Sequence, residues 1–226
     1  MRVWSAVSQK GGPGKSTLIG HLAPYAVQCG ERVLVVDIDP QESITNWHAR
    51  RQGDKETPAV LPALADNLPK ILDAAQTLGI TLTLIDTAGK TDAGAVAAVR
   101  AADLIITPSE PTFFALDGLR GTVELLNRLG KLEQAICVIN KVMPGKGQKQ
   151  AFLDGEMQAA ALGIMVSPAY LVLRSAYQVS IANGKGITEP KAGVKDAKAV
   201  KEIEALWDDL NKRNPLKTDK KEGVTA

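Results

Sequence analysis

The run Lys10-Gly11-Gly12-Pro13-Gly14-Lys15-Ser16-Thr17, set just after the apolar stretch Val3–Val7, decides how this chain is read. Glycines let the backbone curl so that successive N–H groups converge on phosphate oxygens. A helix from about Ser16 adds the positive end of its dipole. In a loop of this kind Gly11, Gly12, Pro13, Gly14, Ser16 and Thr17 cradle the phosphates. Lys15 reaches the β- and γ-phosphates, and the Ser16 hydroxyl ligates Mg²⁺. Gln9 stands where the strict G-x-x-x-x-G-K-[ST] pattern begins with glycine, and Lys10 follows it. Pro13 fixes its φ and removes one N–H from the cradle. A glycine-rich turn alone proves little; its place after a strand gives it weight.

Outward from the loop, short apolar runs alternate with helical patterns. Strands are expected at Val3–Val7, Arg32–Val36, Thr81–Ile85, Leu104–Thr107, Ile136–Ile139 and, late in the chain, Ile164–Val166. Helices are expected at Ser16–Cys29, Leu68–Leu78, Ala93–Ala101, Leu116–Leu129, Gln148–Leu162 and Val194–Leu210. Continuous apolar strands separated by helices predict an α/β domain, a mostly parallel twisted sheet with helices on both faces. The domain is expected over residues 1–212, with a polar, disordered tail over 213–226. At 226 residues and 45% hydrophobic, the chain suits one such domain. No run approaches the roughly eighteen apolar residues of a membrane span. Met1-Arg2-Val3-Trp4 enters a strand without a signal-peptide pattern. Cys29 and Cys137 lie far apart in apolar stretches and read as two buried free thiols in a reducing cytoplasm. His21 and His48 have no metal-ligand spacing and receive no role, and Trp47 reads as packing.

Acidic residues follow two of the expected strands. Val33–Val36 runs into Asp37-Ile38-Asp39-Pro40-Gln41, and Thr81–Ile85 into Asp86-Thr87-Ala88-Gly89. Carboxylates at the carboxyl ends of parallel strands face the crevice where ligands bind in such sheets. An Asx turn ending a strand accounts for one Asp but not for the pair with Pro40-Gln41.

With Lys10 at its start, the loop has the form K-G-G-x-G-K-[ST], the deviant Walker A motif, and the segment after the second strand is closely similar to D-x-D-P-Q. On these residues the chain resembles the ParA/MinD family of P-loop ATPases, most of all the small ParA-type DNA partition proteins. The resemblance covers about residues 1–210, with strong motifs in the first ninety. It implies an ATP·Mg²⁺ switch in which Lys10 reaches the partner's phosphates across a nucleotide-sandwich homodimer. By resemblance Asp37 helps hold the Mg²⁺ shell, Asp39 orients or activates the attacking water, and Asp86 binds Mg²⁺ through water. Gly89 gives the γ-phosphate-sensing loop its freedom. The segment Pro108–Gly118 is similar to the family's loop bordering nucleotide and dimer interface, and Phe113 and Phe114 suit either core or interface packing. Asn140, ending a strand, either pairs its amide with the adenine edge, as in related ATPases, or caps a turn. Lys141-Val142-Met143 does not complete a guanine-reading N-K-x-D, so ATP is expected over GTP.

Charge is distributed regionally. Residues 140–201 carry nine basic against four acidic side chains, whereas residues 1–139 and 202–226 are both net acidic. That is the footprint expected for sequence-independent contact with DNA phosphates, or else a solvated lysine-rich face. Lys191, Lys195 and Lys198 stand at helical spacing, and Arg174, in a stretch similar to the ParA C-terminal region, is the leading single candidate for DNA contact. No helix-turn-helix region precedes the loop, and Lys217–Glu222 has no apolar face for a membrane-cycling role. The expected function is therefore a cytoplasmic, nucleoid-associated ATPase for plasmid or chromosome partition, or for cargo positioning. Its ATP dimer binds DNA nonspecifically and is released when a ParB-like partner stimulates hydrolysis. The alternative is an ATP-dimerised scaffold that recruits a protein partner without DNA.

Overall fold

The computed structural model describes residues 1–51, 58–90, 92–190 and 192–216. Strands β1 (Arg2–Ala6), β2 (Val33–Asp37), β3 (Ala59–Pro62), β4 (Leu82–Asp86), β5 (Leu104–Ser109), β6 (Ala135–Ile139) and β7 (Met165–Val166) join in one sheet. Their spatial order is β3-β2-β4-β1-β5-β6-β7. Every pairing among the described residues is parallel. The helices are α1 (Lys15–Gln28), α2 (Ser43–Ala49), α3 (Leu68–Thr77), α4 (Ala93–Ala101), α5 (Phe113–Arg128), α6 (Gln148–Ala160), α7 (Ser175–Ala182) and α8 (Ala197–Arg213). This is the α/β architecture expected from the sequence, and its two faces follow from the two-residue period of strands. Trp4, Val35, Leu84, Ile106 and Val138 point to one core with α1, α2, α7 and α8. Val3, Val36, Ile85, Ile105 and Ile139 point to the other, with α3, α4, α5 and α6.

Two devices close the first core. Trp4 and Trp207 pack with ring centroids 5.4 Å apart, joining β1 to α8. Asn214 accepts from Trp4 Nε1 at 2.8 Å, and its carbonyl accepts from Arg2, which also pairs with Glu31. Helix α8 thus runs through Arg213, and order reaches beyond the residue-212 boundary expected for the domain; residues 217–226 of the expected tail lie outside the described residues.

The differences from expectation have local causes. Helix α8 begins at Ala197 rather than Val194 because Asp196 caps it, accepting from Lys198 and Ala199 N–H at 3.0 and 3.1 Å. Helix α5 begins three residues early because Thr112 caps Ala115 N–H. Strand β3 has a single neighbour, β2, among the described residues and exposes most of its residues; its short apolar run Ala59-Val60-Leu61 lies between Pro58 and Pro62, which suits an edge strand and obscures it in the sequence. Cys29 is exposed, not buried: α1 stops at Gln28 and the chain turns at Gly30, with φ 90°. Cys137 is buried in β6, and burial pushes its thiol up to about 12. Among the described residues no helix is long and apolar enough to cross a membrane.

Candidate nucleotide site

Strand β1 lies at the centre of the sheet, where the chain order changes direction, and ligands in such sheets sit beyond the carboxyl ends of strands at that point. The loop leaving β1 turns through Gly12 at φ 94° and Gly14 at φ 101°, conformations an L side chain rarely adopts. Helix α1 starts immediately afterwards at Lys15. Gly11, Gly12, Gly14, Lys15, Ser16 and Thr17 line one wall of a cavity of about 570 Å³. Asp39, Pro40, Gln41 and Ser43 line another, and Ala88, Gly89 and Lys90 a third. The sequence motifs thus converge on one crevice. Gly89 is needed for the closure: a Cβ there would sit 2.7 Å from Gly11 Cα.

Lys15 is buried, its Nζ 3.1 Å from Ser8 Oγ, which in turn donates to the Lys10 carbonyl at 2.8 Å. Burial lowers its pKa, opposed by the charges of Asp86 and Asp39. Lys10 is exposed; its stem lies over Gly118, and Nζ donates to the Phe114 carbonyl at 3.2 Å. Phe113 and Phe114 are 74% and 75% exposed, which excludes core packing and leaves a bare aromatic pair beside Lys10.

Asp37 and Asp86 face each other in register across β2 and β4, yet their surroundings differ. Asp37 Oδ2 accepts from the backbone N–H and the hydroxyl of Thr45, each at 2.9 Å, and Oδ1 from Asp39 N–H. It therefore caps α2 and is turned into its own loop. Asp86 is fully buried and neither oxygen has a hydrogen-bond partner within bonding geometry. Burial pushes its pKa up to about 7, with Asp37 and Asp39 adding to the rise and the nearby Ser16 hydroxyl and Lys15 opposing it. A carboxylate in that condition calls for a cation. Among the described residues no group of three or more His, Cys, Asp or Glu could hold a metal. Asp86 and the Ser16 hydroxyl are the oxygen donors that would suit a Mg²⁺ ion here, with the remaining ligands left to the nucleotide and water. Asp39 borders the cavity, with Oδ1 held by Gln41 N–H at 2.9 Å.

Pro13 is buried and does not line the cavity. Asn140 does not border the cavity. Its Nδ2 donates to the Pro13 carbonyl at 2.6 Å and Oδ1 accepts from Lys141 N–H at 2.8 Å. The amide expected at the adenine edge is engaged on the loop itself, close enough that a Cβ on Gly14 would meet Nδ2 at 2.5 Å. Sequence reasoning missed Ser8 and Thr45, which position Lys15 and Asp37. A hydroxyl near a motif carries no distinctive signal.

The expected DNA-contacting residues are not brought together as one helical face. Arg174 donates to Glu202 through Nε at 3.0 Å and through its terminal nitrogen at 2.7 Å, and lies 3.6 Å from Asp196. Its hydrogen bond with Glu202 raises its pKa, and the guanidinium is only 17% exposed. Lys195 lies in the loop ahead of the Asp196 cap, whereas Lys198 is on α8; both are exposed. Lys191 lies outside the described residues. The basic region bounded at residue 201 ends one short of the carboxylate that neutralises Arg174.

The CobQ/CobB/MinD/ParA nucleotide binding domain matches residues 4–187. Protein IncC of Escherichia coli is 28% identical over 92% of this chain and 68% of its own length. Maintenance of carboxysome distribution protein A of Gloeobacter kilaueensis is 37% identical over 54% of this chain, which spans 55% of that relative. Chromosome-partitioning ATPase Soj of Thermus thermophilus is 30% identical over 54% of this chain and 60% of its own. In fold, the chain superposes on apo McdA of Cyanothece with TM-score 0.69 at 16% identity, covering 94% of this chain and 99% of that one. On the MinD cell division protein of Aquifex aeolicus the TM-score is 0.71 at 18% identity, over 90% and 95%. This chain belongs to the CobQ/CobB/MinD/ParA family of nucleotide-binding proteins.

Proposed function

We propose that this protein is a Mg·ATP-dependent switch that partitions DNA or positions another cargo, hydrolysing ATP slowly until a partner stimulates it. The observation that carries the proposal is the pairing of a glycine-rich cavity wall running from Gly11 to Thr17 with a buried Asp86, close to Ser16 and Lys15, whose oxygens make no hydrogen bond. The relatives named for chromosome partition and carboxysome distribution support the choice of role. Ser16 and Asp86 would hold Mg²⁺, which neutralises phosphate charge; Lys15 would meet the β- and γ-phosphates. Asp39 would orient the attacking water, and the Thr45-bound Asp37 would keep that loop in place. Phosphoryl transfer asks little covalent chemistry of a protein, so positioning and charge carry the rate. Lys10 would leave the Phe114 carbonyl to reach the phosphates of a second copy, and the ATP-bound dimer would bind nonspecific DNA through exposed lysines such as Lys195 and Lys198.

The test is binding and hydrolysis of Mg·ATP by the parent and by Lys15→Ala; equal activity in the two overturns the proposal. DNA binding is read separately on random-sequence duplex with ATP, ADP or no nucleotide across a salt series. Binding with ATP alone, weakening steeply with salt, is the expected result. The second reading, a scaffold that dimerises on ATP and recruits a protein, is favoured by one observation: Arg174 is closed off by Glu202 and Asp196. An ATP-dependent dimer that ignores DNA at every salt concentration selects it.

A further inference from the structure

We infer that Asn140, Lys141 and Glu110 form a brace that sets the phosphate loop in its binding shape before nucleotide arrives, with Lys141 its positioning residue. This inference rests on the nucleotide reading above. Two successive loop carbonyls are held from the end of β6: Pro13 O by Asn140 Nδ2 at 2.6 Å, and Gly12 O by Lys141 Nζ. Lys141 Nζ also pairs with Glu110 Oε1 at 2.8 Å, and Asn140 Oδ1 takes the Lys141 N–H. Three loops, after β1, β5 and β6, are thus locked by two adjacent side chains and one carboxylate.

The geometry of a trans peptide explains why this matters. A carbonyl and the N–H of the following residue point in opposite directions across a planar unit. Holding Pro13 O away from the cavity turns Gly14 N–H toward it. The Gly12–Pro13 unit has no N–H to offer, so a phosphate gives it no reason to orient. Lys141 supplies that orientation from outside. Its backbone shows that the position is enforced: Lys141 sits at φ 56°, a left-handed conformation costly for a residue with a Cβ. Such strain persists only where surrounding contacts over-determine it.

The experiment uses the full chain without nucleotide and then with Mg·ADP, comparing Lys141→Met, Lys141→Arg, Lys141→Gly and Glu110→Gln. Hydrogen–deuterium exchange is followed over residues 9–17, Mg·ADP affinity by calorimetry, and melting temperature beside them. Lys141→Met should exchange several-fold faster in the loop and bind Mg·ADP about tenfold more weakly, the loss expected for a hydrogen bond to a charged group. Lys141→Arg should keep both near the parent, and Glu110→Gln should fall between. Lys141→Gly relieves the backbone, so it should melt no lower than the parent while losing as much affinity as Lys141→Met. Parent-like exchange and affinity in Lys141→Met overturn the brace; so does a Lys141→Gly variant that binds like the parent. Should the parent bind no Mg·ADP, the nucleotide reading has failed, and loop exchange alone decides the brace.

Discussion

Two charged regions of this molecule are built in opposite ways. Beyond the carboxyl ends of β2 and β4 part of the charge is left open: neither oxygen of the buried Asp86 makes a hydrogen bond, with Ser16 and Lys15 only nearby, and Asp39 borders the cavity. Around α7 and α8 charge is closed: Glu202 accepts from Arg174, from Tyr177 and from the Val172 N–H. An open buried charge destabilises the protein alone and is relieved by a ligand, whereas a closed one holds the fold and has little left for a partner. The difference separates a candidate site from a structural network better than the count of charges does.

The largest test of that contrast is Asp86→Asn. The folded pKa of Asp86 is raised from 3.8 to about 7. The group's contribution is therefore most favourable below its unfolded pKa and is lost as pH rises toward 7. Above that the cost is about 4 kcal/mol. Urea denaturation of nucleotide-free protein near pH 7.5 should show Asp86→Asn to be more stable by up to that amount, while Mg·ATP hydrolysis falls by orders of magnitude. A variant less stable than the parent would mean that Asp86 is not an open charge.

His21, at the seam between the regions, gives the opposite slope. It is fully buried, accepts from Ile187 N–H at 3.1 Å and packs on Tyr177; burial lowers its pKa from 6.5 to about 3. Its contribution is complete above about pH 6.5 and drains away as pH falls toward 3. Between roughly pH 4 and 6.5 the two residues oppose each other and flatten the parent's stability curve. His21→Gln should leave stability falling with rising pH across that window, and Asp86→Asn should leave it rising. Unchanged slopes in urea titrations of the two variants would count against both assignments.

Legibility followed the same division. The loop Lys10–Thr17 could be read because its chemistry lies in the backbone and in short spacing, and the central strands because they are apolar throughout. Strand β3 is apolar too, but its run is only three residues long between Pro58 and Pro62, and α7 was hidden in a stretch read for its basic residues. Asn140 illustrates what was out of reach: its partner, the Pro13 carbonyl, is 127 residues away. Arg174 looked available for the same reason, its carboxylate lying 28 residues downstream on α8. Spacing reports what one element can present; it does not report which charge another element will bring against it.

Arg174→Ala sharpens the closed side of the comparison. Removing the guanidinium leaves Glu202, 15% exposed, facing Tyr177 and the Val172 N–H without its cation. The expected loss is about 2–3 kcal/mol of folding stability. Any fall in DNA binding by this variant would then be confounded by the damaged fold. Arg174→Ala with parental denaturation but no DNA binding would instead reassign Arg174 to the open class.

The smallest effect on stability, and the cleanest on DNA, should come from reversing Lys195, Lys198 and Lys201 to glutamate. All three are exposed, and surface substitutions of this kind shift stability by only about ±0.5 kcal/mol. Each DNA phosphate that a lysine no longer neutralises should lower the slope of log affinity against log salt by about 0.9. If these lysines make the contact, the triple variant binds duplex DNA at least about tenfold more weakly in the ATP state, with a shallower salt slope and parental denaturation. Lys198 and Lys201 lie beyond the Asp196 cap and Lys195 ahead of it. The single reversals therefore separate a footprint on the helix from one on its preceding loop. Parental affinity and slope in the triple variant would place the open basic surface elsewhere or remove DNA from the mechanism. The ATP-dependent dimer would then act on a protein partner.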